Sequence, residues 1–386
     1  MRTRIFKGVL GPALVVAASL IVPVLLLSSP SPVLAALIPH DPIYIDGNGG
    51  FTPANGVTSG SGTGNNPYII ENWDISAENA HGIRIRNTTA HLIIRNCYVH
   101  DGREEHNHGV YLENVANGKI EGATSNNNLH GIFLVYFSDG VVDNCVVENN
   151  SGKGIWLWYS LNNAVTNCTV RNNNFEDIHL WYSNNNRVTN CILESDDHGI
   201  TIQGSENNTV LNCTVKINNF GVYISSSSSN AVTSCTVEGN NFGIAIVSSN
   251  NNAITKCTVE NNNLGAKLSD SSDNNYIHHN NFVNNKQQVL NYCTNFWDNG
   301  YPSGGNYWSD FTGVDVDNNG IGDTSYKISG GNNQDRYPLM NLFVPEPIPP
   351  EEVPQTPTKW LPIAGIVAII IIIGIVFGTA IYLWRR

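Results

Sequence analysis

The sequence has few charged residues and no helical pattern before residue 361. Asp, Glu, Lys and Arg make up 13% of the 386 residues, and acidic residues outnumber basic ones by 32 to 20. The net charge of −12 argues against nucleic-acid binding and against docking on an anionic surface. Between residue 37 and that point the apolar residues recur in short runs with a period of two, not with the period of 3.6 of an amphipathic helix. The sequence therefore predicts an all-β fold.

Both ends of the chain carry targeting patterns. Residues 1–36 have a basic start, an apolar run and a small-residue end, which predict a secretory signal peptide, with an uncleaved anchor as the alternative. Residues 360–384 are free of charge and long enough to predict a transmembrane helix, and the Arg pair at 385–386 predicts a cytoplasmic tail. The proline-rich stretch 343–358 predicts an extended linker. We therefore expect a single-pass membrane protein with its main domain at the cell surface.

The central region is a repeat of about 22 residues. Its clearest marker is a V-x-x-C-x-V pattern whose cysteines follow one another at steps of 23, 23, 22, 22 and 22, namely Cys145, Cys168, Cys191, Cys213, Cys235 and Cys257. A second pattern, G-I-x-I, lies between the cysteine segments, so we expect two short strands in each turn. Such a repeat without helices is typical of a parallel β-solenoid, whereas a leucine-rich repeat is the rival fold.

Residues 40–340 resemble a known family. The repeat and its flanks, HDPIYIDGNGGFTPANGVTSG and NFWDNGYPSGGNYWSDFTG, are similar to NosD-type right-handed parallel β-helix (PbH1 repeat) surface proteins, especially archaeal ones. The wider group includes carbohydrate-binding proteins, sugar hydrolases, lyases and epimerases. The repeat predicts about ten coils at 67–290, and the resemblance of the flanks implies an N-terminal cap at 37–66 and a C-terminal cap at 291–342.

Large rings are concentrated on one outer face of the predicted solenoid. In G-I-x-I the two aliphatic residues point inward, so the residues between them point outward. Aligning the turns brings nine candidate carbohydrate-binding residues together: Tyr111, Phe133, Tyr136, Trp156, Trp158, Tyr159, His179, Trp181 and Tyr182. Such rings can stack on sugars. The alternatives are mutual packing of the rings and contact with another chain, as in a structural or adhesive surface protein.

A possible catalytic row lies beside these rings. Lys153, Glu176 and His198 fall on successive turns, with Asp177, Asp196 and Asp197 adjacent. A cation, a carboxylate and an imidazole so placed could perform acid–base chemistry, as polysaccharide lyases, hydrolases and epimerases on this scaffold do. Solvated polar residues at a turn are the competing interpretation.

Two metals are considered. The family name implies a copper alternative, and His81, His108 and His130 form a column with His106 nearby, but Met340 is the one methionine after the signal peptide. The segment DVDNNGIGD places oxygen ligands at alternate positions, as a calcium loop does. The predicted structural Ca²⁺ ligands are Asp315, Asp317, Asn319, the Ile321 carbonyl and Asp323, and an Asx-rich turn without calcium is the alternative.

Three other patterns are assigned structural or surface roles. The cysteine column is predicted to point inward as buried thiols, with disulfides between turns as the alternative. An asparagine column is predicted to bond along the axis and to tolerate left-handed corners: Asn163, Asn186, Asn208, Asn230, Asn252 and Asn275. Five sequons predict glycosylation of an exported chain: Asn87, Asn149, Asn167, Asn207 and Asn212.

Overall fold

A computed structural model describes residues 36–103 and 105–344. The predicted transmembrane helix, the signal peptide up to residue 35 and the linker from residue 345 lie outside these residues. In the described part, no helix is long and apolar enough to cross a membrane.

The chain winds through three long sheets, and each turn adds one strand to each of them. Sheet 1 has 12 strands: Ile38–Pro39, Trp73–Ser76, Tyr98–His100, Thr124–Asn126, Val146–Glu148, Thr169–Arg171, Ile192–Glu194, Thr214–Lys216, Thr236–Glu238, Thr258–Glu260, Asn281–Val283 and Tyr307–Trp308. Sheet 2 has 11: Val57–Ser59, Tyr68–Glu71, Leu92–Arg95, Gly118–Glu121, Val141–Asp143, Ala164–Thr166, Arg187–Thr189, Thr209–Leu211, Ala231–Thr233, Ala253–Thr255 and Tyr276–His278. Sheet 3 also has 11: Ile43–Asp46, Ile83–Thr88, Val110–Ala116, Ile132–Ser138, Ile155–Trp158, Glu176–Trp181, His198–Gln203, Phe220–Ser225, Phe242–Val247, Leu264–Ser269 and Gln287–Asn291.

Smaller elements lie at the two ends. The 3-10 helices Asn48–Gly50 and Pro53–Asn55 precede an antiparallel pairing of Val57–Ser59 with Tyr68–Glu71. Near the C-terminal end, Tyr326–Lys327 pairs antiparallel with Gln334–Asp335. The predicted all-β parallel solenoid of about ten coils is confirmed.

The expectation of two strands in each turn is wrong, because the V-x-x-C-x-V segment contains a corner. Val141–Asp143 belongs to sheet 2 and Val146–Glu148 belongs to sheet 1. Asn144, which precedes Cys145, has a φ of 52°. Asparagine tolerates this left-handed conformation, which turns the chain from one sheet into the next.

The interior has the predicted composition. The G-I-x-I aliphatics Ile155 and Leu157 are fully buried, and the six predicted cysteines and Cys97 are buried as well. All eight cysteines are free thiols in the described chain, as the preferred interpretation predicted. The thiol of Cys168 donates to the carbonyl oxygen of Thr166 at 3.2 Å, so each turn satisfies its own sulfur locally.

The predicted asparagine column forms a buried amide ladder. Asn208 Oδ1 accepts from the backbone N–H of Asn186 at 2.8 Å and from its amide at 3.2 Å. The left-handed corner is not at the ladder residue, however, but one residue earlier, at Asn185 and Asn207. The exposed residue before the ladder residue makes the corner, and the buried ladder residue directs its amide along the axis.

Two further ladders were not predicted. One consists of buried serines: Ser160, Ser183, Ser205, Ser227, Ser249 and Ser272. The other consists of buried asparagines ahead of the G-I-x-I strand: Asn128, Asn150, Asn173, Asn218, Asn240, Asn262 and Asn285. The repeated N-N pair of each turn was the signal for the second ladder. These ladders fix the register of the turns and hold sheet 3 in place.

The C-terminal segment closes the end of the core. Trp308 stacks between Phe282, at 4.6 Å between ring centroids, and Tyr326, at 4.3 Å. Its indole N–H donates to the buried carboxyl of Asp335 at 2.9 Å. The open end of the solenoid is thus covered by apolar rings.

Candidate functional site

Sheet 3 has the register that the sequence predicted. Tyr111, Phe133, Trp156 and His179 pair in succession on adjacent strands. Trp158 pairs with Trp181 in the neighbouring column. The nine predicted residues therefore form one continuous patch, which we call the aromatic block.

The middle of the aromatic block is packed ring on ring. Phe133 and Trp156 lie 4.4 Å apart between centroids with planes 19° apart, and Trp158 and Trp181 lie 5.2 Å apart with planes 11° apart. Phe133 is only 7% exposed and His179 only 4%. Because neighbouring turns cover their faces, these central rings have little free face for a ligand.

Three tyrosines at the edge of the block are different. Tyr136, Tyr159 and Tyr182 are 57%, 44% and 48% exposed. Their centroids are 5.4 and 5.3 Å apart, with planes 10° apart in both pairs. Since parallel rings in contact are separated by about 3.5–4.0 Å, this spacing requires a sideways offset of about 4 Å. The rings therefore overlap like roof shingles, each showing part of its face, and we call them the tyrosine ridge.

The tyrosine ridge stands on left-handed backbone. Its φ values are 50°, 49° and 48°, a conformation uncommon for a bulky residue. The same column carries smaller residues on other turns, among them Asn114, Gly204 and Ser226, each with positive φ as well. Repeat geometry requires the left-handed corner but does not require tyrosine there.

The predicted catalytic row is partly assembled. Lys153 forms an ion pair with Glu176, and their side chains are 16% and 15% exposed. The ammonium of Lys153 also lies 5.3 Å from the centroid of Trp156 and 5.7 Å from that of Phe175. Glu176 pairs in register with His198 on the next turn.

Glu176 is held ionised. Burial by itself would raise its pKa, but His179 and Lys153 hold the pKa of Glu176 below its usual value. Burial lowers the pKa of His179 to about 4, so that imidazole is neutral at neutral pH. Lys153 is therefore the cation that stabilises the carboxylate there.

The other candidate carboxylates occupy distinct environments. Asp197 is exposed and its Oδ2 lies 3.0 Å from Nδ1 of His198. Asp177 is fully buried, so it cannot touch a ligand in this conformation. Asp177 stands where other turns have the glycine of G-I-x-I, and the nearby Asp196 stands where they have the ladder asparagine.

Asp177 and Asp196 form a buried acidic pair. Nδ2 of Asn173 lies 3.1 Å from Asp177 Oδ1 and 3.3 Å from Asp196 Oδ2. Burial and the neighbouring Asp196 raise the pKa of Asp177 well above its usual range. Burial likewise raises the pKa of Asp196 to about 6. The pair therefore keeps at least one proton at mildly acidic pH.

The histidine column has structural contacts. The rings of His81, His108 and His130 stack at 4.8 and 5.0 Å. Nδ1 of His81 accepts the backbone N–H of His108, and Nδ1 of His130 accepts that of Lys153. His106 is exposed in the loop that precedes His108. No three His, Cys, Asp or Glu residues in the described chain are grouped to hold a metal ion.

The predicted calcium loop is closed on itself. Asp315 accepts the backbone N–H groups of Asn319 at 3.1 Å and Gly320 at 2.8 Å, and Asp323 accepts that of Val316 at 2.8 Å. Asn319 also donates its amide to Asp317 at 2.9 Å. Carboxylate and amide oxygens are the ligands that Ca²⁺ prefers, although here these oxygens accept hydrogen bonds from the loop instead of converging on one point. Calcium binding stays a prediction.

The five sequon asparagines are all exposed and all have positive φ. They therefore lie on corners of the solenoid that an attached glycan could reach. Their glycosylation also stays a prediction.

Comparison with known proteins agrees with this architecture. A family model described as a right handed beta helix region matches residues 43–193, and one described as periplasmic copper-binding protein (NosD) matches residues 172–313. The three parallel sheets make the described chain a parallel β-helix. Each of the two family models matches less than half of the chain, and over these residues the chain is similar to right-handed β-helix proteins of the NosD type.

Two curated relatives are each named probable ABC transporter binding protein NosD. The one from Stutzerimonas stutzeri is 38% identical over 80 residues, and the one from Pseudomonas aeruginosa is 36% identical over 80 residues. Each match covers 20% of this chain and 18% of the relative. The chain thus spans less than a fifth of the length of these relatives.

Two solved structures to which the chain is similar have TM-scores under 0.5. The mannuronan C-5 epimerase A-module of Azotobacter vinelandii has a TM-score of 0.48 at 13% identity, covering 56% of this chain and 76% of that one. A pectate lyase has a TM-score of 0.41 at 14% identity, covering 80% and 89%.

Proposed function

We propose that this protein is an exported, membrane-anchored β-helix that binds an uncharged glycan through the aromatic block and its tyrosine ridge. The observation that carries the proposal is the ridge itself, three exposed, overlapping rings on left-handed backbone. The solenoid serves as a rigid support that holds the rings in register.

The other residues of the ridge column support a surface role for the tyrosines. A left-handed non-glycine residue costs roughly 1–2 kcal/mol, and asparagine bears this conformation more easily. Stacking of the ridge tyrosines on one another and on Trp158 and Trp181 contributes about 0.5–1.5 kcal/mol for each pair, which is comparable with that cost. Asn114 and Ser226 occupy the same column without a ring, so the fold itself is served by smaller residues. The tyrosines add apolar surface with a polar hydroxyl, which suits a sugar ring.

Charge favours an uncharged glycan over an acidic one. The chain carries a net charge of −12, and Lys153, the cation beside the aromatic block, is already paired with Glu176. At the other end of the block, Arg84 and Arg86 both contact Glu113. A polysaccharide of uronic acids would meet a surface whose positive charges are neutralised.

The test replaces the three ridge tyrosines by asparagine, which occupies the same column at Asn114. A triple variant, Tyr136→Asn, Tyr159→Asn and Tyr182→Asn, keeps left-handed corners that asparagine tolerates, so its fold is expected to be retained. A glycan array should show binding by the wild-type protein and loss of that binding in the variant. Light scattering on both proteins separates the rival role: concentration-dependent assembly without sugar, lost in the variant, would support contact between chains instead.

A second candidate is sugar-modifying catalysis, favoured by one observation. Glu176 is a shielded, ionised carboxylate beside the aromatic block, which suits a general base better than a general acid. Release of products from a polysaccharide that disappears in Glu176→Gln, while binding is kept, would support this role. Unchanged polysaccharide after prolonged incubation would exclude it.

The remaining features support presentation at a cell surface. The predicted signal peptide, proline-rich linker and transmembrane helix would place the β-helix outside the cell and hold it away from the membrane. The predicted Ca²⁺ loop would stiffen the C-terminal cap near the start of that linker. Protease accessibility of intact cells, with and without a deletion of residues 360–384, tests the anchoring.

A further inference from the structure

The tyrosine ridge leans toward the C-terminal end of the solenoid. A Cβ atom placed on Gly204 would lie 2.7 Å from Cε1 of Tyr182, so the ring of Tyr182 lies over the backbone of the following turn. The nearly parallel planes of the three tyrosines imply the same lean for all of them. In this arrangement the outer face of each ring is covered in part by the tyrosine of the preceding turn.

Tyr136 is the first ring of the ridge, and no tyrosine precedes it. Its column continues backward to Asn114 and then to Asn87. In agreement with the lean, Tyr136 is 57% exposed, whereas Tyr159 and Tyr182 are 44% and 48% exposed. The outer face of Tyr136 is therefore the least covered ring face of the ridge.

Polar groups surround this free face. Asn114 lies beside Tyr136 on the preceding turn, and its amide donates to Asn87 Oδ1 at 3.0 Å. One residue along the strand, Glu113 accepts from Arg84 at 3.4 Å and lies 3.6 Å from Arg86. The step thus joins an apolar ring face to amides and balanced charges, which can exchange hydrogen bonds with hydroxyl groups.

We infer that the step between Tyr136 and Asn114 is a terminal subsite for one pyranose ring of an uncharged glycan. The sugar stacks on the outer face of Tyr136. It occupies the position that the ring of a tyrosine at residue 114 would have. Its hydroxyl groups bond to Asn114 and to the Arg86 and Glu113 pair. This inference rests on the proposed glycan-binding function and assigns it a position.

A single substitution can fill the subsite with the protein's own ring. Asn114 has a φ of 54°, close to the 50° of Tyr136. Asn114→Tyr should therefore add a fourth overlapping ring, which covers the outer face of Tyr136. The matched control is Ser248→Tyr, in the same column at a φ of 50° but three turns beyond Tyr182. Both variants introduce tyrosine on left-handed backbone, and only the first covers Tyr136.

Titration calorimetry on the full-length protein provides the test, with cellotetraose, mannotetraose and maltotetraose as neutral probes and tetragalacturonate as the acidic one. We expect at least one neutral probe to bind, Asn114→Tyr to weaken it by about tenfold or more, and Ser248→Tyr to leave it within about twofold. Tyr136→Asn, which removes the ring instead of covering it, should weaken it to a similar degree.

The possible failures are distinct. Wild-type affinity in both Asn114→Tyr and Tyr136→Asn, with binding lost in the triple ridge variant, would overturn the subsite and keep the proposed function. Binding of tetragalacturonate alone would overturn the assignment to uncharged glycans. Absence of binding by the wild-type protein to every probe and on the glycan array would overturn the proposed function itself.

Discussion

Replacing Asp196 by asparagine should stabilise the protein at neutral pH and remove part of its pH dependence. Asp196 interrupts an amide ladder: its backbone N–H donates to Asn218 Oδ1 at 2.9 Å, but an ionised carboxylate cannot make the second bond that Asn218 makes to Asn240 at 3.2 Å. An asparagine at this position supplies the missing donor. It also faces the buried Asp177 without a charge.

The magnitude follows from the shift of the pKa. Burial raises the pKa of Asp196 from 3.8 to about 6. Because the folded pKa lies above the unfolded one, the folded state binds the proton more tightly, and the stability from this group is complete below about pH 4 and is lost as the pH rises through about 6. At 1.36 kcal/mol for each pKa unit, the loss is about 3 kcal/mol at pH 7. Asp196→Asn should therefore stabilise by roughly 2–4 kcal/mol at pH 7 and by about 1 kcal/mol at pH 4.

Urea unfolding of wild-type protein and Asp196→Asn at pH 4, 5, 6 and 7 measures this difference. The two curves of stability against pH should converge at the acidic end and separate toward neutrality. Parallel curves would refute the reasoning, because they would mean that Asp196 titrates alike in the folded and unfolded chain. Asp197→Asn is the matched control, since that neighbouring carboxylate is exposed.

Three further perturbations test other parts of the account. Lys153→Met should destabilise the protein by about 2–3 kcal/mol at pH 7 in urea unfolding, because it leaves the Glu176 carboxylate unpaired. Adding Glu176→Gln should recover most of that loss, and an equal loss of stability in the single and the double variant would contradict this. Asn208→Ala should cost about 3 kcal/mol and speed hydrogen exchange at Asn186, whose backbone N–H loses its acceptor; unchanged exchange would argue against the ladder. Millimolar Ca²⁺ should raise the melting temperature of the wild-type protein and leave Asp315→Ala unchanged, whereas equal shifts would place the ion elsewhere.

The sequence predicted the solenoid well because its periodicity reports the core directly. A cysteine every 22 or 23 residues marks an inward position in each turn, and the structure buries all of those residues. The same periodicity predicted the register of the aromatic block, since equivalent positions of a repeat must lie side by side. Corners were harder to predict. The residue before each cysteine looks like part of a strand, and only its left-handed backbone shows that one apparent strand is two.

The nature of the candidate site could be predicted only in part. Outward alternation identified which residues carry rings but not how those rings tilt, because the tilt depends on packing between turns. The buried state of Asp177 was also hidden, since the sequence shows a polar residue beside exposed ones. Its position in the glycine column was the available signal. An acid that replaces a glycine next to the core is expected to be buried and protonated rather than solvated.

The central claim is that the tyrosine ridge binds glycan while the solenoid only supports it. The most direct measurement is the affinity of the full-length protein for a neutral oligosaccharide, compared with that of the variant in which Tyr136, Tyr159 and Tyr182 are all asparagine. We expect binding by the first protein and its loss in the second, with the folded structure retained in both. Equal affinity of the two proteins for the same oligosaccharide would contradict it.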